Sequence, residues 1–304
     1  MSLKPVEKPV IHEVGLRDGL QAEKQVIPTA TKLAWCEQLI AAQVDVLQIG
    51  SFVNPDKMPQ MADTDELFRR LNSVPHPGVT LSGLVLNEKG LERALACGVE
   101  LVCMGVSASD THSQKNTGMS TAEAQRRIIA IAQAAVKAGK QVQVSVQSAF
   151  GCGFEGKIPD ERVLGIVRAY LDAGLVNISL ADTAGHAHPT QVTRLFGELF
   201  KLQPDAKCAC HFHDTYGLGM ANMYAALALG VRSFETSFGG LGGCPFTKLA
   251  AGNVATEDFV HGLQRVGMRG DIQLSVLLGL AREVGTTFGR DLPGRVHKAG
   301  ALTY

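Results

Sequence analysis

Short runs rich in β-branched residues recur eight times along this chain, at 10–14, 44–49, 79–84, 100–104, 141–146, 175–180, 207–213 and 231–236, and Ala-, Leu- and Glu-rich stretches separate most of them. Strand-length runs alternating with helix-length stretches predict βα units and a parallel sheet. Helices are expected at 29–42, with Pro28 and Thr29 at its start, and at 121–138, 159–173, 189–202 and 217–229. Gly98, Gly139, Gly174 and Gly230 follow the last helical residues, as C-terminal caps do. Eight such units are the count of a (β/α)8 TIM barrel. A doubly wound sheet is the alternative, with fewer strands and often a phosphate-binding glycine turn after the first. Here the first strand runs into Gly15-Leu16-Arg17-Asp18-Gly19, which matches neither the dinucleotide nor the P-loop pattern. Residues 256–304 read as a helical C-terminal extension at the barrel rim. No linker interrupts the rhythm, so 1–304 reads as one catalytic domain.

Composition supports a large core and excludes several classes. The chain has 304 residues, of which 45% are hydrophobic, too many for a disordered protein. Its 29 basic and 29 acidic residues cancel, and no basic stripe interleaves with aromatics, so no nucleic-acid partner is expected. No apolar run reaches membrane-spanning length, so no membrane partner is expected. The seven cysteines are dispersed and odd in number, unlike a disulfide scaffold. Cys208 and Cys210 resemble half a metal site, but alternation on a strand explains them equally well. With no signal or transit segment at 1–9 and no peroxisomal ending, a cytoplasmic setting is expected.

Four clusters carry chemistry. His211 and His213 are two apart on the seventh strand, so both side chains share one face near the mouth of a barrel. They suit a divalent metal, though a hydrogen-bonded structural pair would look the same. Arg17 and Asp18 follow strand one, where Asp18 is a candidate ligand and Arg17 a candidate clamp for substrate oxygens, or the two form a local ion pair. Asp182 follows strand six, as a catalytic group or a cap for the next turn. Gly239, Gly240, Gly242 and Gly243 precede Cys244 in a loop that reads as a mobile lid bearing one reactive thiol. Asn253 lies ahead of a helix expected to be capped by Thr256, and its amide oxygen is a candidate neutral ligand. A set of Asp18, His211, His213 and Asn253 offers nitrogen and oxygen but no thiolate, which suits Mg²⁺ or Mn²⁺ with open positions. With a proton-donating thiol nearby, metal-assisted enolate chemistry is the reading.

At these residues the chain resembles the hydroxymethylglutaryl-CoA lyases, in the barrel superfamily shared with isopropylmalate and homocitrate synthases. The resemblance runs from about Val10 to Leu292. It rests on Glu13-Val14-Gly15-Leu16-Arg17-Asp18-Gly19-Leu20-Gln21, Ser51-Phe52-Val53-Asn54-Pro55, Lys115-Asn116, His211-Phe212-His213-Asp214-Thr215-Tyr216-Gly217 and Gly240-Leu241-Gly242-Gly243-Cys244-Pro245-Phe246. The last of these, with the stretch from Ala251 to Asp258, is the most specific to the lyases. The resemblance implies retro-Claisen cleavage of 3-hydroxy-3-methylglutaryl-CoA to acetyl-CoA and acetoacetate, with CoA as part of the substrate and no organic cofactor. It implies that Asp18, His211, His213 and Asn253 hold the cation and that His211 or Asp18 takes the hydroxyl proton. It further implies that Arg17 stabilises charge on the thioester oxygen, that Cys244 protonates the enolate carbon, and that Asp182 orients or shuttles protons. Arg17, Gln21, Gln48, Asn87, Lys115 and Asn116 would line the substrate, and a homodimer is expected.

The chain departs from the lyase pattern around the mouth. Gln48 stands where the lyases carry Glu, Leu86-Asn87 replaces Pro-Asn, and the stretch from Gln147 to Phe154 differs at several positions. Gln keeps hydrogen-bonding reach but removes a negative charge beside the metal. That should weaken cation binding or alter the base, and it admits a related substrate: citramalyl-CoA or a longer 3-hydroxy-3-alkylglutaryl-CoA. An acyl-CoA-binding barrel without turnover is the remaining alternative.

Overall fold

Eight parallel strands close on themselves in sequence order, with β1 bonded to both β2 and β8. The computed structural model describes residues 8–243 and 252–302. The strands are β1 (Val10–Glu13), β2 (Val46–Ser51), β3 (Thr80–Leu84), β4 (Leu101–Ser107), β5 (Gln141–Gln147), β6 (Asn177–Asp182), β7 (Lys207–Phe212) and β8 (Ser233–Thr236). The helices described around them are α1 (Thr29–Ala41), α2 (Thr64–Leu71), α3 (Glu88–Ala96), α4 (Asp110–Thr117), α5 (Thr121–Lys137), α6 (Asp160–Asp172), α7 (Pro189–Leu202) and α8 (Gly219–Leu229). Beyond β8 come α9 (Thr256–Arg265), α10 (Leu274–Phe288) and α11 (Val296–Ala299). This is the expected (β/α)8 barrel with extra C-terminal helices. No helix described is long and apolar enough to cross a membrane.

The alternation of each strand divides its residues between two environments. On β5, Val144 and Val146 are buried in the apolar core, whereas Gln143, Ser145 and Gln147 line the barrel's central cleft. On β7, Cys208, Cys210 and Phe212 lie in the core, and the Cys210 thiol is 3.8 Å from the Met223 sulfur of α8. Strand alternation therefore accounts for Cys208 and Cys210, which are free thiols and, among the described residues, belong to no cluster of metal-ligating groups. The interior is unusually polar for a barrel: His12, Gln48, Ser82, Gln143, Ser179, His211 and Glu235 are all buried. Buried polar groups cost stability unless hydrogen-bonded, so this layer demands a network.

Local signals end the helices where the sequence indicates. Ser120 and Glu123 form a reciprocal capping box at the start of α5. Gly230 closes α8 at φ +96°, a conformation that costs a residue with Cβ. Below the barrel, the Arg269 side chain, 1% exposed, joins Asp45 and Asp271 and donates to the Pro9 carbonyl. That buried cation ties the segment before α10 to the entry of β1 and β2. Removing one partner of such a pair strands a charge and is strongly destabilising.

Candidate metal centre and active site

The site begins where β1 ends. The Val14 carbonyl accepts from the amides of Arg17, Asp18 and Gly19, at 3.1, 2.7 and 3.3 Å, making a single π turn over Gly15–Gly19. Such turns recur at functional sites because they re-aim side chains. Gly15 is required there, since a Cβ would stand 2.6 Å from the Phe238 ring. Buried Glu13 anchors the turn, accepting from the Gly15 amide at 2.6 Å, the Phe238 amide at 3.1 Å and the Thr256 hydroxyl. Burial pushes the Glu13 carboxyl up to about 8. Thr256 does not cap α9 as its sequence position suggests. Its hydroxyl instead serves Glu13 and Thr236, and α9 has no side-chain cap.

Arg17 is aimed by two acceptors. Its Nε donates to Gln48 Oε1, and its Nη1 donates to Asp18 Oδ1 at 2.6 Å. From β7, His211 and His213 turn their Nε2 atoms toward each other, 3.0 Å apart. Asp18 Oδ2 lies 3.9 Å from the first and 4.0 Å from the second. The three residues can present ligand atoms that all lie within 4.8 Å of one another. Asn253 bridges to His213 and donates from Nδ2 to Asp18 Oδ2 at 2.8 Å and to the Leu241 carbonyl at 2.9 Å.

Two observations fit this cluster to a cation. Asn253 Oδ1 is buried without a hydrogen-bond partner, a cost that a cation would relieve. Behind His211, Glu235 faces Nδ1 at 3.0 Å, which holds that proton on Nδ1 and leaves Nε2 as a donor atom for a metal. Glu235 is itself fixed by Gln143 at 2.5 Å and Ser179 at 3.0 Å. The electrostatics agree. Burial opposes ionisation of Asp18, but Arg17 and the two histidines outweigh it and hold the carboxyl well below its usual range. Burial, and then the neighbouring His211, push His213 down to about 4, so its ring is neutral at pH 7. At His211 burial works against the cation, yet Glu235 and Asp18 raise its pKa.

A cleft of about 1160 Å³ opens over the cluster. Arg17, Asp18, Gln21, Gln48, Asn87 and Asn116 line it, as do His211, His213 and Gly243. Asn87 also caps α3, accepting from the Gly90 amide at 2.8 Å. Lys115 is not among the lining residues, and its ammonium sits 4.8 Å over the Phe154 ring. Asp182 is held by backbone amides and acts on His211 through space. Its carboxylate is fully buried and accepts from the His186 and Ala187 amides at 2.8 and 3.1 Å, as a cap does. Burial raises it to about 7.

Two of the glycines before Cys244 are there for want of space. A Cβ on Gly239 would meet Leu292 at 2.3 Å, and one on Gly242 would meet Asn253 at 2.5 Å. Both also adopt positive φ, +65° and +117°, where glycine is favoured. Cys244 lies outside the described residues. Glu235 and Gln143 join the site without having been singled out from sequence, and Glu13, the first residue of a stretch that carries the resemblance, joins it as the anchor of the turn. An acid placed inside a barrel strand, as Glu235 is in Ser233–Thr236, is the signal that could have flagged it.

The family described as HMGL-like matches residues 8–284. The chain belongs to the HMGL-like family. It is 39% identical to an (R)-citramalyl-CoA lyase of Chloroflexus aurantiacus, over 98% of this chain and 96% of that one. It is 37% identical to a hydroxymethylglutaryl-CoA lyase of Bacillus subtilis, over 95% and 96%. The solved structure of an HMG-CoA lyase from Acinetobacter baumannii, in complex with coenzyme A and 3-methylmalate, superposes with a TM-score of 0.92 at 36% identity, covering 100% of this chain and 98% of that one. As an HMGL-like protein with a clustered Asp/His ligand set, this chain is a metal-dependent carbon–carbon lyase acting on an acyl-CoA.

Proposed function

We propose that the protein cleaves a short 3-hydroxyacyl-CoA that carries a free carboxylate, by a retro-Claisen step that releases acetyl-CoA and an oxo acid. The observation that carries this reading is the meeting of Asp18, His211 and His213 beside Arg17 at the floor of the cleft. Asp18, His211, His213 and Asn253 would hold Mg²⁺ or Mn²⁺, an ion that supplies Lewis-acid polarisation of substrate oxygens when bound. Arg17 has N–H groups beyond those taken by Gln48 and Asp18, and these would stabilise charge developing on the thioester oxygen. The hydroxyl proton goes to Asp18 or His211. Glu235 supports the basicity of His211, whereas Arg17 keeps Asp18 ionised. Cys244, on the strength of the family resemblance, is the donor to the enolate carbon.

Gln48 favours citramalyl-CoA over hydroxymethylglutaryl-CoA as the substrate. With an amide in place of a carboxylate at Nε, the anion that Arg17 hydrogen-bonds is Asp18. The site then accommodates one more negative charge close to the reacting carbon. Citramalyl-CoA carries its carboxylate directly on the carbinol carbon, whereas hydroxymethylglutaryl-CoA carries it one methylene further away. Opposite charges about 4 Å apart interact by roughly 4 kcal/mol at an effective dielectric near 20, so one methylene matters. The (R)-citramalyl-CoA lyase relative supports the same order. The test is parallel measurement of kcat/KM for both thioesters, with pyruvate and acetoacetate as the respective products. The higher value is expected for citramalyl-CoA. No acetyl-CoA from either thioester, nor from a longer 3-alkyl homologue, would reject the proposal.

A further inference from the structure

Glu257 and His297 are buried, carry titratable groups and have no part in the chemistry above. They lie on α9 and α11, in the extension beyond β8. Burying a carboxylate in a protein interior is costly unless it is fully hydrogen-bonded. Glu257 spends both oxygens on named partners: Oε2 accepts from the Gly239 amide at 3.0 Å, and Oε1 faces His297 Nδ1 at 3.0 Å.

The other polar group of Gly239 is held by the same segment, because its carbonyl accepts from the Gly294 amide at 2.9 Å. Gly294 has no room for a side chain, since a Cβ would stand 2.4 Å from Glu257 Oε1. His297 is fixed in turn by Arg282, whose Nε donates to the His297 carbonyl at 2.7 Å. Both backbone groups of Gly239 are therefore tied to the C-terminal extension. Gly239 is the middle residue of the turn Phe238–Gly240, which Leu241 follows, and the Leu241 carbonyl accepts from the Asn253 side chain at 2.9 Å. The chain of contacts runs from His297 through Glu257 and Gly239 to the amide of Asn253.

We infer that Glu257 and His297 are positioning residues for the metal ligand Asn253. They make the C-terminal extension a working part of the cation site without touching the ion or the substrate. The inference rests on the reading of Asn253 as a ligand.

The experiment measures Mn²⁺ affinity of the full-length protein by electron paramagnetic resonance, without substrate, alongside the melting temperature of the metal-free form. The variants are His297→Ala, the conservative His297→Asn, whose amide can replace the Nδ1 contact, and Val163→Ala, a core truncation in α6 remote from the loop. Mn²⁺ affinity is expected to fall about tenfold in His297→Ala, to recover in His297→Asn and to stay at the wild-type value in Val163→Ala despite its lower melting temperature. Should His297→Ala fail to fold, Arg282→Ala at an exposed position loosens the same segment, and a smaller fall in affinity is expected. Wild-type affinity in the folded His297 and Arg282 variants would overturn the inference, as would an equal loss in Val163→Ala. A wild-type protein that binds no Mn²⁺ would overturn the ligand reading itself, a separate outcome.

Discussion

His211 and His213 face each other through Nε2 atoms 3.0 Å apart, while Glu235 occupies the opposite ring nitrogen of His211 at 3.0 Å. The two nitrogens of His211 therefore act differently. Nδ1 holds a proton against a carboxylate, and Nε2 keeps the lone pair, turned toward His213.

Glu235→Gln should expose that dependence. The amide NH₂ would face His211 Nδ1, drive the ring to its other tautomer and put a proton on the nitrogen meant for the metal. Mn²⁺ affinity is expected to drop roughly 10–100-fold with the barrel still folded, as substitutions of groups that orient metal ligands typically do. Isothermal titration with Mn²⁺ checks this, and unchanged affinity would contradict the assignment.

Gln48→Glu tests the charge at Arg17. The guanidinium already donates from Nη1 to Asp18 at 2.6 Å, and a second carboxylate on Nε would neutralise it further. The kcat/KM for citramalyl-CoA is expected to fall about tenfold, and the ratio to hydroxymethylglutaryl-CoA to shift toward the latter. Equal change for both substrates would remove Gln48 from specificity.

Glu13 gives a pH dependence whose sign follows from its burial. Its folded carboxyl sits at about 8 against an ordinary 4.5, so the folded state holds this proton more tightly. The stability it contributes is complete below about 4.5 and is lost as pH rises toward 8, with a slope of about 1.4 kcal/mol per pH unit between those values. Glu13→Gln keeps an acceptor for the Gly15 and Phe238 amides and a donor for Thr256, mimicking the protonated acid. Its melting temperature should fall less than that of the wild type between about pH 5 and 8. Calorimetry at several pH values reads the difference, and parallel curves would refute it.

Much of this architecture is legible in the residues. Eight β-branched runs predict eight strands, and the period of two puts His211 and His213 on one face. Strand two runs over Val46–Ser51 rather than 44–49, because Asp45 lies ahead of the ladder and accepts the Ile11 amide. The illegible parts depend on contacts between distant segments. Nothing local to Thr256 announces that its hydroxyl serves Glu13, 243 residues away in sequence. Asp182 has the same strand-end position as a catalytic acid, and only the path of the following loop turns it toward the His186 and Ala187 amides. The glycines at 239 and 242 read as freedom in the sequence; their positive φ and their crowding by Leu292 and Asn253 belong to the folded loop and have no local signal.

The most direct measurement is acetyl-CoA release from citramalyl-CoA by protein stripped with chelator and verified free of metal, before and after Mn²⁺ is restored. No release is expected from the stripped protein, with recovery when the ion returns. Full release by the metal-free protein would contradict a metal-dependent cleavage.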